Sequence, residues 1–109
     1  MFELEKKLIL SGMKLILYDN TKIVAHAYLY LLYNDLHAQP FGLMEDVFVE
    51  EPYRGKGIGS KLVEELITEA RAQHCYKLIC TIRHEKPRVH ELYKRLGFFE
   101  QGLEFRINF

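Results

Sequence analysis

Between Glu45 and Ala70 the chain changes its hydrophobic period, and that change limits the folds open to it. In Val47-Phe48-Val49 the valines fall on one face of an extended strand and the phenylalanine on the other. Ile58, Leu62, Val63, Leu66, Ile67 and Ala70 then recur at helical spacing. Between the two lies a turn-like run, Glu50 to Gly55, that contains Pro52. A strand therefore passes through a glycine-rich loop directly into a helix. The loop reads Arg54-Gly55-Lys56-Gly57-Ile58-Gly59-Ser60-Lys61. Its alternate glycines permit positive φ and a close approach of backbone to a ligand. The helix behind them presents unpaired N–H groups and the positive end of its dipole. With the charges of Arg54, Lys56 and Lys61, the run makes a site for a phosphate-type anion.

Two phosphate loops can be tested against these letters. A Walker A loop requires GxxxxGK[ST]; here Gly55-Lys56 is followed by Gly57, and position 50 is glutamate. A dinucleotide fingerprint requires GxGxxG; Gly55-x-Gly57 is followed by Ile58, Gly59 and Ser60, so the third glycine is misplaced. What remains is Arg54-x-x-Gly57-x-Gly59, after a strand and opening a helix. This resembles the acetyl-CoA pyrophosphate loop of GNAT-type N-acetyltransferases. The flanking Glu45-Asp46 and Tyr53-Arg54-Gly55 look especially like the polyamine and amino-sugar branches. The competing interpretation is a tight strand–helix turn whose glycines serve packing alone.

The remaining features set bounds. A chain of 109 residues is one domain, residues 1–109, large enough for a single core. Its 15 basic and 15 acidic residues cancel, which removes a global electrostatic drive toward nucleic acid or an anionic membrane. No apolar run is long enough to span a bilayer, and no signal-peptide pattern opens the chain. Cys75 and Cys80 then read as reduced thiols of a cytoplasmic protein. They form no CxxC pair, and the five histidines lack zinc spacing, so no metal is expected.

Along the chain, residues 2–10 favour a strand and Met13 to Tyr18 a second, with Asp19-Asn20 as a hairpin turn. Lys22 to Tyr33 reads as a central strand, Asn34 to Pro40 as a polar loop, and Phe41 to Val49 as the strand feeding the glycine loop. A helix from about Ile58 to His74 returns to a strand at Tyr76–Ile82, which implies a right-handed parallel crossover. Val89, Leu92, Tyr93 and Leu96 form the apolar face of a second helix stopped by Gly97. Leu103, Phe105, Ile107 and Phe109 alternate with Glu104, Arg106 and Asn108, which predicts a last strand. The fold class is α+β: a mixed, mostly antiparallel sheet with two main helices.

That order is similar to the GNAT core, but the family's usual helices between the first two strands have no room between Leu10 and Met13. Those helices help wall the acceptor side, so their absence invites a partner subunit and makes a homodimer an open expectation. A second motif, Leu92-Tyr93-Lys94-Arg95-Leu96-Gly97-Phe98, resembles the family's LYxxLGF signature. The asparagine usual seven residues before that tyrosine is replaced by Lys86, which could touch a phosphate instead. Pro87 beside it removes a backbone donor.

The resemblance implies acetyl transfer from acetyl-CoA, as co-substrate, to a primary amine by direct attack. Such a reaction needs a group to take the amine proton, a holder for the oxyanion and a donor to the leaving sulfur. Glu45 is the candidate base, through water; the alternative is a strand carboxylate that only attracts a cation. Asp46 points to the opposite face if the strand is regular, and a bulge would change that. Tyr93 is the candidate acid; the alternative is a core tyrosine with a satisfied hydroxyl. Backbone of Val47, Phe48 and Val49 is expected against the pantetheine arm. Arg54, Gly55, Lys56, Gly57, Ile58, Gly59 and Ser60 are expected at the diphosphate, with Lys86 near a phosphate. His26 reads as a satisfied core residue, Cys80 as packing, and Glu64, Glu65 and Glu69 as the solvent face of the main helix. The acceptor is open among polyamine, amino sugar, small-molecule and protein amines. The other class open to the chain is a catalytically silent acyl-CoA-binding module.

Overall fold

The computed structural model describes residues 1–9, 11–82 and 87–109. Four strands follow in order, β1 (Phe2–Ile9), β2 (Gly12–Asp19), β3 (Lys22–Asn34) and β4 (His37–Val49). A 3₁₀ turn at Glu51–Tyr53 leads to helix α1 (Ile58–Ala72), then β5 (Leu78–Ile79) and helix α2 (Pro87–Arg95). The sheet order is β1-β2-β3-β4-β5, antiparallel from β1 to β4 and parallel between β4 and β5. This is the mixed, mostly antiparallel α+β arrangement that the hydrophobic periods imply. No helix of the described residues is long and apolar enough to cross a membrane.

The core forms where α1 lies on one face of the sheet. Ile58, Leu62, Val63, Leu66 and Ala70 make one helical stripe, and all are buried. Beneath them lie Leu15 of β2, Ala25, Ala27 and Leu29 of β3, and Met44 of β4. Burial of each large aliphatic side chain in this layer stabilises the fold by roughly 1.5–3 kcal/mol. Tyr93 of α2 joins the same cluster, so both helices lie on one side. Lys6 of β1 clasps the edge of α1: its ammonium donates to Glu69 at 2.5 Å and lies 3.5 Å from Glu65. Two of the three glutamates expected on a solvated face are therefore engaged with the sheet.

β1 turns straight into β2, with Ile9 opposite Gly12 and no helix between them. The crossing is tight. Leu31 N–H donates to the Ser11 carbonyl at 2.5 Å, and a Cβ built on Gly12 would stand 2.0 Å from the Leu29 carbonyl oxygen. Glycine is there because the neighbouring backbone leaves no volume for a methyl group.

Four expectations need correction. The polar loop expected at Asn34 to Pro40 shrinks to a two-residue turn, with Asn34 opposite His37 and Leu36 N–H donating to Asn34 Oδ1 at 2.9 Å. The hairpin projects into solvent, so its pairing needs no apolar face and the polar letters hid it. β5 pairs only over Leu78–Ile79 rather than Tyr76–Ile82. It is held by Tyr76 N–H to the Pro40 carbonyl and Gly42 N–H to the Lys77 carbonyl, and pairing ends at Leu43–Ile79. α1 ends at Ala72, slightly before His74. The segment expected as a last strand, Leu103–Phe109, lies outside the sheet and is fully exposed.

Gly12→Ala should lower stability by about 1–3 kcal/mol, because the added methyl has to push β3 backbone aside. Urea unfolding followed by circular dichroism measures this, and a variant as stable as the parent would contradict the close crossing.

Candidate active site

The site begins with an irregularity in β4. Along this strand Pro40, Gly42 and Met44 are buried, whereas after Asp46 it is Val47 and Val49 that pack against the core. The phase changes by one residue. The cause is a β-bulge: Tyr28 pairs with Glu45 and His26 with Phe48, so Ala27 alone faces Asp46 and Val47. Asp46 carries the strain with φ +51°. Val47 and Val49 share the core face and Phe48 lies opposite, as the alternation predicts. Glu45 lies on the Phe48 side, because the bulge separates it from the valines.

On that side the residues stand in ordered rows. Lys14, Tyr28 and Glu45 are in register across three strands, with the Lys14 ammonium 5.4 Å from the Tyr28 ring centroid. Tyr28 stacks on Tyr30 with centroids 5.8 Å apart. His26 is half-buried rather than in the core. It stacks on Phe48, and its Nε2 lies 2.9 Å from Asp46 Oδ2. The expectation of a core histidine fails because the even residues of β3 face away from both helices.

Beyond Leu43 the outer edge of β4 has no strand partner among the described residues. The chain then passes through the turn, where the Tyr53 hydroxyl donates to Asp19 Oδ2 at 2.8 Å. That hydrogen bond raises the phenol above its usual pKa. Arg54 folds back: its Nε donates to the Val49 carbonyl at 2.8 Å and its guanidinium lies 5.4 Å from the Phe48 ring centroid. It braces the strand end as well as supplying charge. Gly55 and Gly57 have φ of +76° and +78°, and a Cβ at either would meet nothing within 4 Å. Their role is conformational. Gly57 is the N-cap of α1, no side chain caps the helix, and its first turn holds no acidic residue. The N–H groups there and the dipole end are available to an anion.

A cavity of about 380 Å³ opens over this helix start. Val49, Arg54, Gly55, Gly57, Ile58, Gly59 and Ser60 line it, seven of the residues expected at the diphosphate or pantetheine. Lys56, Val47 and Phe48 do not line it; the Lys56 ammonium lies over the Tyr53 ring at 5.6 Å. Tyr53, Leu92 and Arg95 do line it as well; their motifs were noted in the sequence, but these residues were not expected at the cofactor. Leu92 and Arg95 sit one helical turn apart on α2, flanking Tyr93, and that spacing was the available signal. Lys86 lies outside the described residues, as does His84.

Tyr93 is buried, its ring 5.3 Å from Phe98, and its hydroxyl has no hydrogen-bond partner among the described residues. Burial, with Cys80 nearby, pushes its pKa up to about 12. Burial, with the charge of Glu45, pushes the Cys80 thiol up to about 11. Cys80 thus lies within electrostatic reach of Glu45 on one side and of Tyr93 on the other. The tyrosine stays a proton donor at neutral pH, and the thiol stays protonated and weakly nucleophilic. No group of three potential metal ligands occurs among the described residues.

The same architecture and letters occur in known proteins. Residues 3–98 match the family model described as Acetyltransferase (GNAT) family. Glucosamine 6-phosphate N-acetyltransferase 1 of Oryza sativa subsp. japonica is 36% identical over 70 residues, 62% of this chain and 39% of that protein. Thialysine N-epsilon-acetyltransferase of Bos taurus is 37% identical over 54 residues, 50% of this chain and 32% of that protein. The chain thus spans about two fifths or less of these curated relatives. Among solved structures, glucosamine-6-phosphate N-acetyltransferase from Arabidopsis thaliana superposes with TM-score 0.81 at 25% identity, over 91% of this chain and 67% of that one. A Trypanosoma brucei acetyltransferase gives 0.80 at 25%, over 91% and 70%. With the match to the family model running across nearly all of its sheet and both helices, the chain belongs to the GNAT acetyltransferase family.

Proposed function

We propose that this chain is an acetyl-CoA-dependent N-acetyltransferase acting on a primary amine. One observation carries the proposal: an uncapped helix start, shaped by left-handed Gly57 and opening on a cavity, stands next to a strand edge left unpaired by the parting of β4 and β5. A diphosphate suits the N–H groups at 58–60, and an amide-bearing arm suits the bare edge of β4.

In the proposed reaction the amine nitrogen attacks the thioester carbonyl carbon; the C–N bond forms and the C–S bond breaks. Glu45, exposed on the β4 surface, takes the amine proton through water. Tyr93, neutral because burial holds its proton, gives that proton to the departing sulfur. Solvent returns a proton to the phenolate and removes one from Glu45. Holding both reactants side by side supplies much of the rate. Direct transfer is favoured over an acyl-cysteine route by the protonated state of Cys80. The free thiols Cys75 and Cys80 suit a reducing compartment, which we take to be the cytoplasm. The amino-sugar and thialysine enzymes among its relatives make a small amine-bearing metabolite the first acceptor class to test.

Calorimetry should detect acetyl-CoA binding, and Gly57→Asp should weaken it by at least about tenfold, since it adds a Cβ at positive φ and a negative charge at the anion site. Unchanged affinity in a folded variant would remove the site. Thiol release across an amine panel should show turnover, with Tyr93→Phe lowering kcat by about tenfold or more at nearly unchanged affinity. The parent should show no loss of kcat from phenol ionisation up to about pH 10. Binding without turnover on any amine would instead indicate a silent acyl-CoA module. Cys80→Ala should keep most of the thiol-release rate; its abolition together with a trapped acetyl-thioester on the parent chain would establish the acyl-cysteine route.

A further inference from the structure

On the sheet face turned away from both helices, one cross-strand row is polarised from end to end. Lys7 of β1, Lys14 of β2, Tyr28 of β3 and Glu45 of β4 are successive register partners. Residues directly opposite on neighbouring strands share a face. The row therefore sets two ammoniums, a phenol ring and a carboxylate side by side. Neither ammonium forms an ion pair among the described residues.

Lys7 has a local reason to be there. β1 is an edge strand, and a lysine on such a strand discourages pairing with another chain. Lys14 has no such reason. It lies on the inner strand β2, half-buried, its ammonium 5.4 Å from the centroid of the Tyr28 ring. Partial desolvation of an ammonium costs free energy, and an anion beside it recovers that cost. The charges flanking the row are already engaged. Glu5 accepts from the Tyr18 hydroxyl at 2.7 Å, Asp46 lies 2.9 Å from His26, and Arg54 is turned back onto the Val49 carbonyl. That leaves Lys14 and Glu45 on either side of one ring. Strand spacing separates their backbones by roughly 10 Å, and the charged groups by less, because the lysine reaches over Tyr28.

We infer that this row is the acceptor subsite of the proposed reaction and that it takes an amine whose far end carries a carboxylate or a phosphate. The anion pairs with Lys14, the spacer lies on the Tyr28 ring and the amine stands at Glu45. The inference rests on the N-acetyltransferase reading. The cofactor cavity opens on the helix side, between the start of α1 and α2, so the opposite face is the one left for a second substrate. An α-amino acid, whose amine and carboxylate share one carbon, is too short to span the ring. A linear polyamine brings like charge against Lys7 and Lys14. Lys14 is thus a specificity-determining residue.

The test compares matched acceptors by release of free coenzyme A: an aminoalkyl carboxylate, an aminoalkyl phosphate, and the alkylamine and diamine of the same length. At low salt at least one anionic acceptor should exceed the alkylamine in kcat/KM by about tenfold, with the diamine below both. Lys14→Glu should reverse the order of the anionic acceptor and the diamine, and Lys14→Arg should keep the parent's order. A merely structural lysine would lower all four rates together. An alkylamine as good as either anionic acceptor overturns the inference, as does an unchanged order in folded Lys14→Glu. Binding is read separately, by NMR titration of the aminoalkyl carboxylate and phosphate into the free chain. Resonances of Lys14 and Tyr28 should move in the parent and stay in place in Lys14→Gln. If no amine is turned over, the proposed reaction fails while the titration still decides the subsite: no movement at Lys14 and Tyr28 removes it. If Lys14→Glu does not fold, the parent's order and the titration decide alone.

Discussion

The site depends on the strain taken up at Asp46. β4 has to do two incompatible things: present even-numbered residues to the core near its start and odd-numbered ones near its end. A regular strand cannot, because its side chains alternate strictly. One extra residue opposite Ala27, with φ +51°, resolves the conflict. It keeps Val47 and Val49 under α1 while turning Glu45 toward the far face. The bend also accompanies the parting of β4 from β5, and without that parting there would be no bare edge for an amide-bearing arm. Asp46 is in turn held by His26, whose ring is stacked on Phe48, and Phe48 lies against the Arg54 guanidinium. The bulge and the glycine loop are thus joined through one chain of contacts.

Much of this was legible in the letters, for physical reasons that differ by element. The strand–loop–helix unit shows because its period switches from two to 3.6 across three glycines that no packing argument needs. α1 shows because its stripe is continuous from Ile58 to Ala70. The outer part of the β3–β4 hairpin did not show, since solvent covers both of its faces and polar residues satisfy it as well as apolar ones. The segment 103–109, expected as a last strand, joins no sheet: alternation says which face is apolar and not whether an edge accepts it. His26 was misjudged for a related reason: an apolar run hides which of its two faces is covered, and only the position of the helices decides.

The cavity divides the same way. The glycines and Ser60 were found by spacing, whereas Leu92 and Arg95 reach it from a helix nearly thirty residues further on. Their part depends on how α2 docks beside the start of α1; their one-turn spacing shows that they share a helix face but not where that face docks. Tyr93 carries its motif but does not line the cavity, and the donor role proposed for it leans on burial, a property of the assembled core.

The direct turn from β1 into β2 has an effect far from Gly12. Both helices occupy one side of the sheet, and among the described residues no helix covers the other, where Lys14, Tyr28, Tyr30 and His26 are half-buried and Glu45 and Asp46 exposed. On the proposed reaction, an acceptor arriving there would meet a shelf instead of a tunnel. A shelf sorts molecules by the ring faces and charges it offers and is indifferent to what overhangs its rim. Discrimination on such a surface rests on polar groups left unmatched by the wrong guest rather than on bulk excluded by walls.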